Sequence, residues 1–385
     1  MKILIIRTYP SYINVKNITY NIQEVGLAKS LVRKGHHCDI LFWTDKVEKN
    51  EVISVENNDA INVFYRKGLT ALKNTIYTNC SQLFDEYDIL QPAEYNQIQS
   101  WRLAGQYPQK VVIYHGPYYS KFNRRYNLMC SFFDIFFLKR YLKGGTHFIT
   151  KSTLAQDFLE SKGIKRRNIT TIGVGIDAEM LANPNDQCPE PLFIKMKQDQ
   201  NLKLLYIGRF EKRRNIYFIF DVLSEIINKN IDVTLYMVGT GEREYIDECW
   251  KYAQSKKILK HIVYQEKIEQ KNLKYIYQLA DFFLLPTEYE IFGMVLLEAM
   301  YFKTIALTTS NGGSRTLIDN GINGFVLDLE DSRKWADCIA QVIKNENYML
   351  KLCNSARQKV QENFTWDRLA DHFIEEYKKV LKDSI

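Results

Sequence analysis

The chain has 385 residues, 46% hydrophobic and 25% charged, the balance of an ordinary globular protein and enough length for two domains. No apolar run reaches the roughly 18 residues that a membrane-spanning helix needs, so none is expected. Seven cysteines, scattered and never in a CxxC pair, point to reduced thiols and away from a zinc site or a disulfide framework. The net charge of +7 is uneven: residues 1–180 hold 24 basic and 16 acidic side chains, and residues 100–167 alone hold 13 and 3. Either this is a solvated basic face, or the first half meets something anionic: a membrane, a phosphorylated acceptor or nucleic acid.

The opening "MKILIIRTYP" is too short in its apolar part for a signal peptide and reads as a first buried strand. A helix is expected over 21–35, with apolar residues at helical spacing and Gly35 as its stop. Strands follow at 37–43, 87–92, 110–116 and 146–152. Strands alternating with helices predict βαβ units and a parallel sheet. Residues 182–200, with three prolines and many polar side chains, read as a linker. The rhythm then restarts. Strands are expected at 202–210, 232–241, 261–265, 281–287, 304–309 and 324–328, and helices at 215–230, 243–257, 270–280 and after Gly293. The expected organisation is a first domain over 1–181, the linker at 182–200 and a second domain over 201–365. The last helix, 366–385, crosses back to the first domain.

The stretch "PTEYEIFGMVLLEAM", 286–300, places Glu290 and Glu298 either side of Phe292-Gly293, just after the apolar run "ADFFLLP". In open α/β sheets, ligands bind beyond the carboxyl ends of strands. The helix after Gly293 would turn the N–H groups of Met294 and Val295 into that space, a phosphate site by geometry. The two carboxylates would accept hydrogen bonds from hydroxyls: Glu290 from a sugar, Glu298 from a diol such as a ribose. Positive charge for a diphosphate is offered by "GRFEKRRN", 208–215, through Arg209 and one of Lys212, Arg213 and Arg214.

The ordered set of these motifs resembles the retaining, nucleotide-sugar-dependent glycosyltransferases of family 4, which have the GT-B fold. "EIFGMVLLEAM" looks like the family's E-x7-E motif, and "YIGRFEKRRNI" like its phosphate loop. "MVGTGER" looks like its glycine loop, and "SNGGSRTLIDNGINGFVLD" like the segment that follows. The match extends over roughly residues 110–330 and is poor in the first hundred.

The resemblance implies two Rossmann-like parallel-sheet domains facing a central cleft. It implies Glu298 on the donor ribose, Glu290 on the transferred sugar, and Arg209 with a following basic residue on the diphosphate. Gly208, Gly239, Phe292, Gly293, Met294 and Val295 would complete the donor loops, although Gly239 and Gly241 can equally do no more than shape their own loop. His115, in "YHGP", would face the donor sugar or acceptor from the first domain, or be a satisfied strand-end histidine. The donor would be a nucleoside diphosphate sugar, with no cofactor and no metal.

Two departures stand out. Arg214 occupies the position where the family usually has lysine, and an arginine clamps phosphate as a planar fork instead of a point charge. The loop after the first strand, 7–21, has no glycine where the family often has a Gly-Gly pair. That second departure keeps open a non-catalytic partner subunit of the same fold. A sugar-nucleotide epimerase is the other alternative, although no extra acid–base residues for it are identified. Residues 120–145 mix basic and aromatic side chains. They read as a buried helix whose cations reach water, or as a surface for an anionic membrane or lipid-linked acceptor. No nucleic-acid motif is present and no nucleic acid is expected. The expected acceptor is a glycan, glycolipid or protein, and the expected location is cytoplasmic, either free or peripheral at the inner face of the membrane.

Overall fold

The structure, a computed structural model, describes residues 1–17, 22–56, 59–181 and 188–382. The chain forms two compact units, Met1–Asp177 with Thr365–Ile385, and Ala178–Phe364.

The first unit is built on strands β1 (Lys2–Ile6), β2 (His37–Trp43), β3 (Lys49–Ser54), β4 (Ala60–Arg66), β7 (Ile89–Pro92), β8 (Val112–His115), β9 (His147–Thr150) and β10 (Ile169–Thr171). A small antiparallel hairpin, β5 (Gly68–Ala71) and β6 (Asn74–Tyr77), lies between β4 and β7 in the chain. The strand order is β3-β4-β2-β1-β7, then β8-β9-β10, with β7 and β8 joined by parallel bridges at Leu90–Val111 and Ala93–Tyr114. Among the described strands of this order, β3 alone runs antiparallel to its neighbour. β1 is central, paired on both sides, and Ile3 to Ile6 are all buried. A strand covered on both faces reads as an unbroken apolar run, which is why "KILII" is legible as a strand. β3 to β6 were not anticipated: they are short or alternate buried with half-exposed residues, among charged side chains that mask the period of two.

The last helix, Trp366–Lys382, packs on the helix Gln23–Arg33 within this unit. Two glycines make room for it. A Cβ on Gly26 would lie 2.2 Å from the Trp366 indole nitrogen, and one on Gly175 would lie 2.6 Å from Trp366 Cδ2. The Trp366 N–H donates to the Ile176 carbonyl at 3.2 Å, and Ser30 Oγ donates to Asp367 at 2.6 Å. Residues 383–385, the end of the expected last helix, lie outside the described residues, as do 18–21 of the loop after β1.

Residues 120–145 form two helices, Arg124–Phe136 and Leu138–Gly144. Only Cys130 and Phe133 of the first and Tyr141 of the second are buried. The expected buried helix is therefore covered on one side only, because the apolar residues surround the helix while just one stripe meets the core.

The second unit holds a six-stranded parallel sheet in the order β13-β12-β11-β14-β15-β16, from β11 (Leu202–Ile207), β12 (Val233–Val238), β13 (Ile262–Gln265), β14 (Phe282–Leu285), β15 (Ile305–Thr308) and β16 (Phe325–Val326). β12, β14 and β15 are wholly buried. Chain order reverses between β11 and β14, which makes that point the switch of a doubly wound sheet. Of the expected linker, residues 182–187 lie outside the described residues. Its second part is a helix, Pro191–Gln198, packed on the helix Gln270–Leu279 with Leu192 and Met196 buried. Pro191 is at its start, where a proline lacks no needed N–H, so a proline read as a breaker is a helix initiator.

Candidate functional site

At the switch point of the second unit, the loops after β11 and β14 are stitched together. The Asn215 side chain, at a left-handed position (φ 50°), donates to the Pro286 carbonyl at 2.8 Å. Arg213 donates to the Tyr289 carbonyl and pairs with Glu211 at 2.7 Å. Arg214 Nη1 meets Glu290 Oε2 at 2.6 Å, with both side chains mostly buried. The two motifs, about 80 residues apart in sequence, thus make one edge.

Glycines allow the close fit. Gly293 caps the helix Met294–Tyr301 at φ 78°, left-handed backbone that a Cβ would strain. A Cβ on Gly313 would lie 1.8 Å from the Phe292 carbonyl, and one on Gly239 1.8 Å from the Gly208 carbonyl. Gly239 and Gly241 therefore let the loop after β12 pack beneath the loop after β11.

The N–H groups of Met294 and Val295 are in the first turn and have no acceptor within the helix. Arg209 and Lys212 are exposed and make no ion pair among the described residues. Arg213 and Arg214 are engaged, so the cations of this loop divide into two that build the loop and two that face solvent. Lys212 also borders a surface depression with Tyr217, Tyr245 and Glu248. Glu298 is buried, and its Oε2 accepts from the Tyr277 hydroxyl at 2.8 Å. Phe292 is buried against Phe364, with ring centroids 6.0 Å apart.

The first unit has its own polar edge at the carboxyl ends of β1 and β7, also a reversal point of strand order. A cavity of about 230 Å³ opens there, bordered by Arg7, Tyr9, Glu24, Gln91, Tyr114 and Lys151. Arg7 grips Glu24 with two hydrogen bonds, at 2.9 and 2.7 Å, and reaches Ser11 at 3.0 Å. Burial disfavours the Glu24 anion, but Arg7 outweighs it and holds the carboxyl below its ordinary value. Arg7 thus ties the described start of this glycine-free loop, at Ser11, to Glu24 of the helix Gln23–Arg33.

His115 ends β8 and is fully buried. Its Nδ1 lies 2.7 Å from Glu94 Oε2, which also accepts the Gly116 N–H at 3.1 Å, and Lys151 is 3.6 Å from the other carboxylate oxygen. Burial again opposes ionisation of Glu94, while Lys151 and the His115 hydrogen bond prevail and keep it below its ordinary value. An ionised Glu94 takes an Nδ1–H, which leaves Nε2 as the free position of the ring. Nε2 is buried with no hydrogen-bond partner. A buried polar atom left without a partner is destabilising by about 1–3 kcal/mol. The strand-end histidine is thus satisfied at one nitrogen only.

Glu94, Lys151, Arg7 and Glu24 were missed in the sequence. Glu94 sits at φ 60°, a left-handed position that no motif announces. Glu24 is one charge among several on an amphipathic helix.

Residues 191–361, all in the second unit, match the family described as glycosyl transferases group 1. The chain spans about half the length of the curated relatives it matches. It is 26% identical over 183 residues to an uncharacterized glycosyltransferase of Methanocaldococcus jannaschii, covering 47% of this chain and 46% of that protein. It is 25% identical over 241 residues to the capsular polysaccharide biosynthesis glycosyltransferase CapM of Staphylococcus aureus, covering 60% and 61%. Among solved structures, a glycosyltransferase from Rickettsia africae superposes with a TM-score of 0.73 over 99% of both chains at 19% identity. Anabaena HepE, solved in complex with UDP, superposes with a TM-score of 0.74 over 98% of this chain and 100% of its own at 15% identity. The chain resembles glycosyltransferases in the sequence of its second unit, and its two α/β units have the GT-B fold.

Proposed function

We propose that the protein is a retaining glycosyltransferase that moves a sugar from a nucleoside diphosphate sugar to a glycan, glycolipid or protein acceptor. The reading is carried by the stitched edge between β11 and β14, where Glu290, Arg214, the exposed Arg209 and Lys212 and the first-turn amides of Met294 and Val295 come from two joined loops. Carboxylate for hydroxyls beside cations and amides for phosphates is the donor set that a sugar nucleotide requires.

In this reading Glu290 accepts hydroxyls of the transferred sugar, while Arg209, with Lys212 or Arg214, holds the diphosphate. Glu298 exchanges its Tyr277 hydrogen bond for the ribose. His115 Nε2 meets the sugar or the acceptor. The bond between sugar C1 and the diphosphate oxygen breaks, and a bond from C1 to the acceptor oxygen forms on the same face. The acceptor's proton passes to the leaving diphosphate, whose growing charge the cations and amides stabilise. No metal or cofactor enters the step. The likeness to CapM, a capsular polysaccharide biosynthesis glycosyltransferase, favours polysaccharide or glycoconjugate synthesis, and the UDP complex of HepE favours a uridine nucleotide as the first donor to test.

A second reading, a non-catalytic partner subunit, is favoured by the glycine-free loop whose described start Arg7 ties to Glu24. Calorimetric titration with UDP, GDP and ADP and their sugars, with and without EDTA, tests both. Binding of one nucleotide that survives EDTA and is lost in Glu290→Ala/Glu298→Ala supports the transferase. Binding without turnover until a second protein is added supports the partner subunit, and no binding of any nucleotide overturns the donor site.

A further inference from the structure

We propose that the helix Arg124–Phe136, with its continuation Leu138–Gly144, is a surface that docks in the plane of an anionic lipid bilayer. The inference does not depend on the donor site. Leu128, Phe132, Ile135 and Phe136 are 73%, 60%, 70% and 61% exposed. Their spacing of i, i+4, i+7 and i+8 puts them on one face of a single helix. The rings of Phe132 and Phe136 touch each other, with centroids 4.8 Å apart, and Cys130 and Phe133 on the opposite face enter the core. Most other large apolar side chains this exposed, such as Val47, Val52 and Ile322, are separated along the chain.

Charge decides the occupant. Arg124 and Arg125 stand at the start of the helix, and Lys139 and Lys143 lie just beyond its end, a separation on the order of 20 Å at helical rise. None of the four makes an ion pair among the described residues. The only acid between residues 100 and 150 is Asp134. It is turned inward, where it pairs with Lys162 and accepts from the Tyr95 hydroxyl at 3.2 Å. Arg140 is also withdrawn, stacked on the Trp101 ring at 3.5 Å. What these two helices leave outside is an apolar centre between two cationic ends, with no exposed carboxylate of their own. A protein interface depletes lysine from its core, whereas a bilayer accepts this pattern directly: the apolar side chains enter the acyl boundary and the cations meet lipid phosphates.

Flotation with vesicles tests it, using phosphatidylcholine alone and mixed with phosphatidylglycerol, at low and high salt. The intact chain should float with the anionic vesicles, and raising the salt to about 0.5 M should release much of it. Leu128→Ser/Phe132→Ser/Ile135→Ser/Phe136→Ser should lower partition at least about tenfold. Arg124→Glu/Arg125→Glu/Lys139→Glu/Lys143→Glu should abolish it at low salt. These side chains are exposed, so circular dichroism should match the parent. As a readout that needs no multiple substitution, Phe132→Trp emission should shift to the blue on adding anionic vesicles. Absence of binding by the parent chain, or undiminished binding by the serine variant, overturns the proposal. So does self-association that the serine variant abolishes without any vesicle binding, since it would assign the face to a second copy. Loss of nucleotide binding in the separate titration would leave this surface standing.

Discussion

Replacing Glu94 tests whether the first unit holds His115 poised or merely buries it. Three donors converge on this carboxylate: His115 Nδ1 at 2.7 Å, the Gly116 N–H at 3.1 Å and the Lys151 ammonium at 3.6 Å. Glutamine keeps one acceptor oxygen and loses the charge, so Glu94→Gln should destabilise the unit by about 1–2 kcal/mol. Alanine leaves all three donors without an acceptor, and the loss should reach about 3–5 kcal/mol. Backbone conformation supplies a control. Residue 94 is left-handed at φ 60°, so Glu94→Gly should be less damaging than Glu94→Ala by about 1 kcal/mol.

Lys151 and the His115 hydrogen bond hold the Glu94 carboxyl below its ordinary value when folded, so the unfolded chain takes up its proton first. Its contribution is complete above that value and is lost as pH falls through the lower folded one. The gap between the parent and Glu94→Gln should therefore be full at neutral pH and close in acid. Urea unfolding read by hydrogen exchange on first-unit peptides isolates this unit from the second. Nitrogen-15 spectra of the histidines should show Nδ1 protonated in the parent and the preference lost in Glu94→Ala. A gap that stays constant into acid, or an unchanged tautomer, would refute the assignment of Glu94 as the group that orients His115.

Three further outcomes follow from contacts already described. Gly313→Ala puts a Cβ into the Phe292 carbonyl, so it should weaken nucleotide binding and lower the melting temperature of the second unit by calorimetry. Trp366→Ala should cost about 3–5 kcal/mol in the first unit, the range for deleting a buried tryptophan, and should make the last helix susceptible to limited proteolysis. Arg214→Met leaves Glu290 without its 2.6 Å partner and should reduce nucleotide affinity about tenfold or more, with Arg214→Lys recovering part of the loss in the same titration.

Much of the architecture was legible because parallel strands buried on both faces are unbroken apolar runs. "ILII" and "FFLL" became the buried parts of β1 and β14 for that reason, β2 was carried by its apolar end "ILFW", and the helices after Asn215 and Gly293 began where their loops ended. The motif order at 208–215 and 290–298 was equally local information. The pairing of Arg214 with Glu290 was not: it depends on β11 and β14 being neighbours, a consequence of strand order that no window of residues contains.

The same limit hid Glu94, whose carboxylate reaches His115 only because β7 and β8 lie side by side and residue 94 turns left-handed. It hid the room for Trp366, made by two glycines 149 positions apart. It also left the basic aromatic stretch ambiguous, since helical period shows that a helix has faces but not which face the core takes. Sequence determined the elements, their alternation and the chemistry carried by each loop, because these rest on local pattern and residue type. Tertiary structure decided which charges are joined, which nitrogen is left unpaired and which apolar stripe faces outward, because each depends on what long-range packing brings alongside.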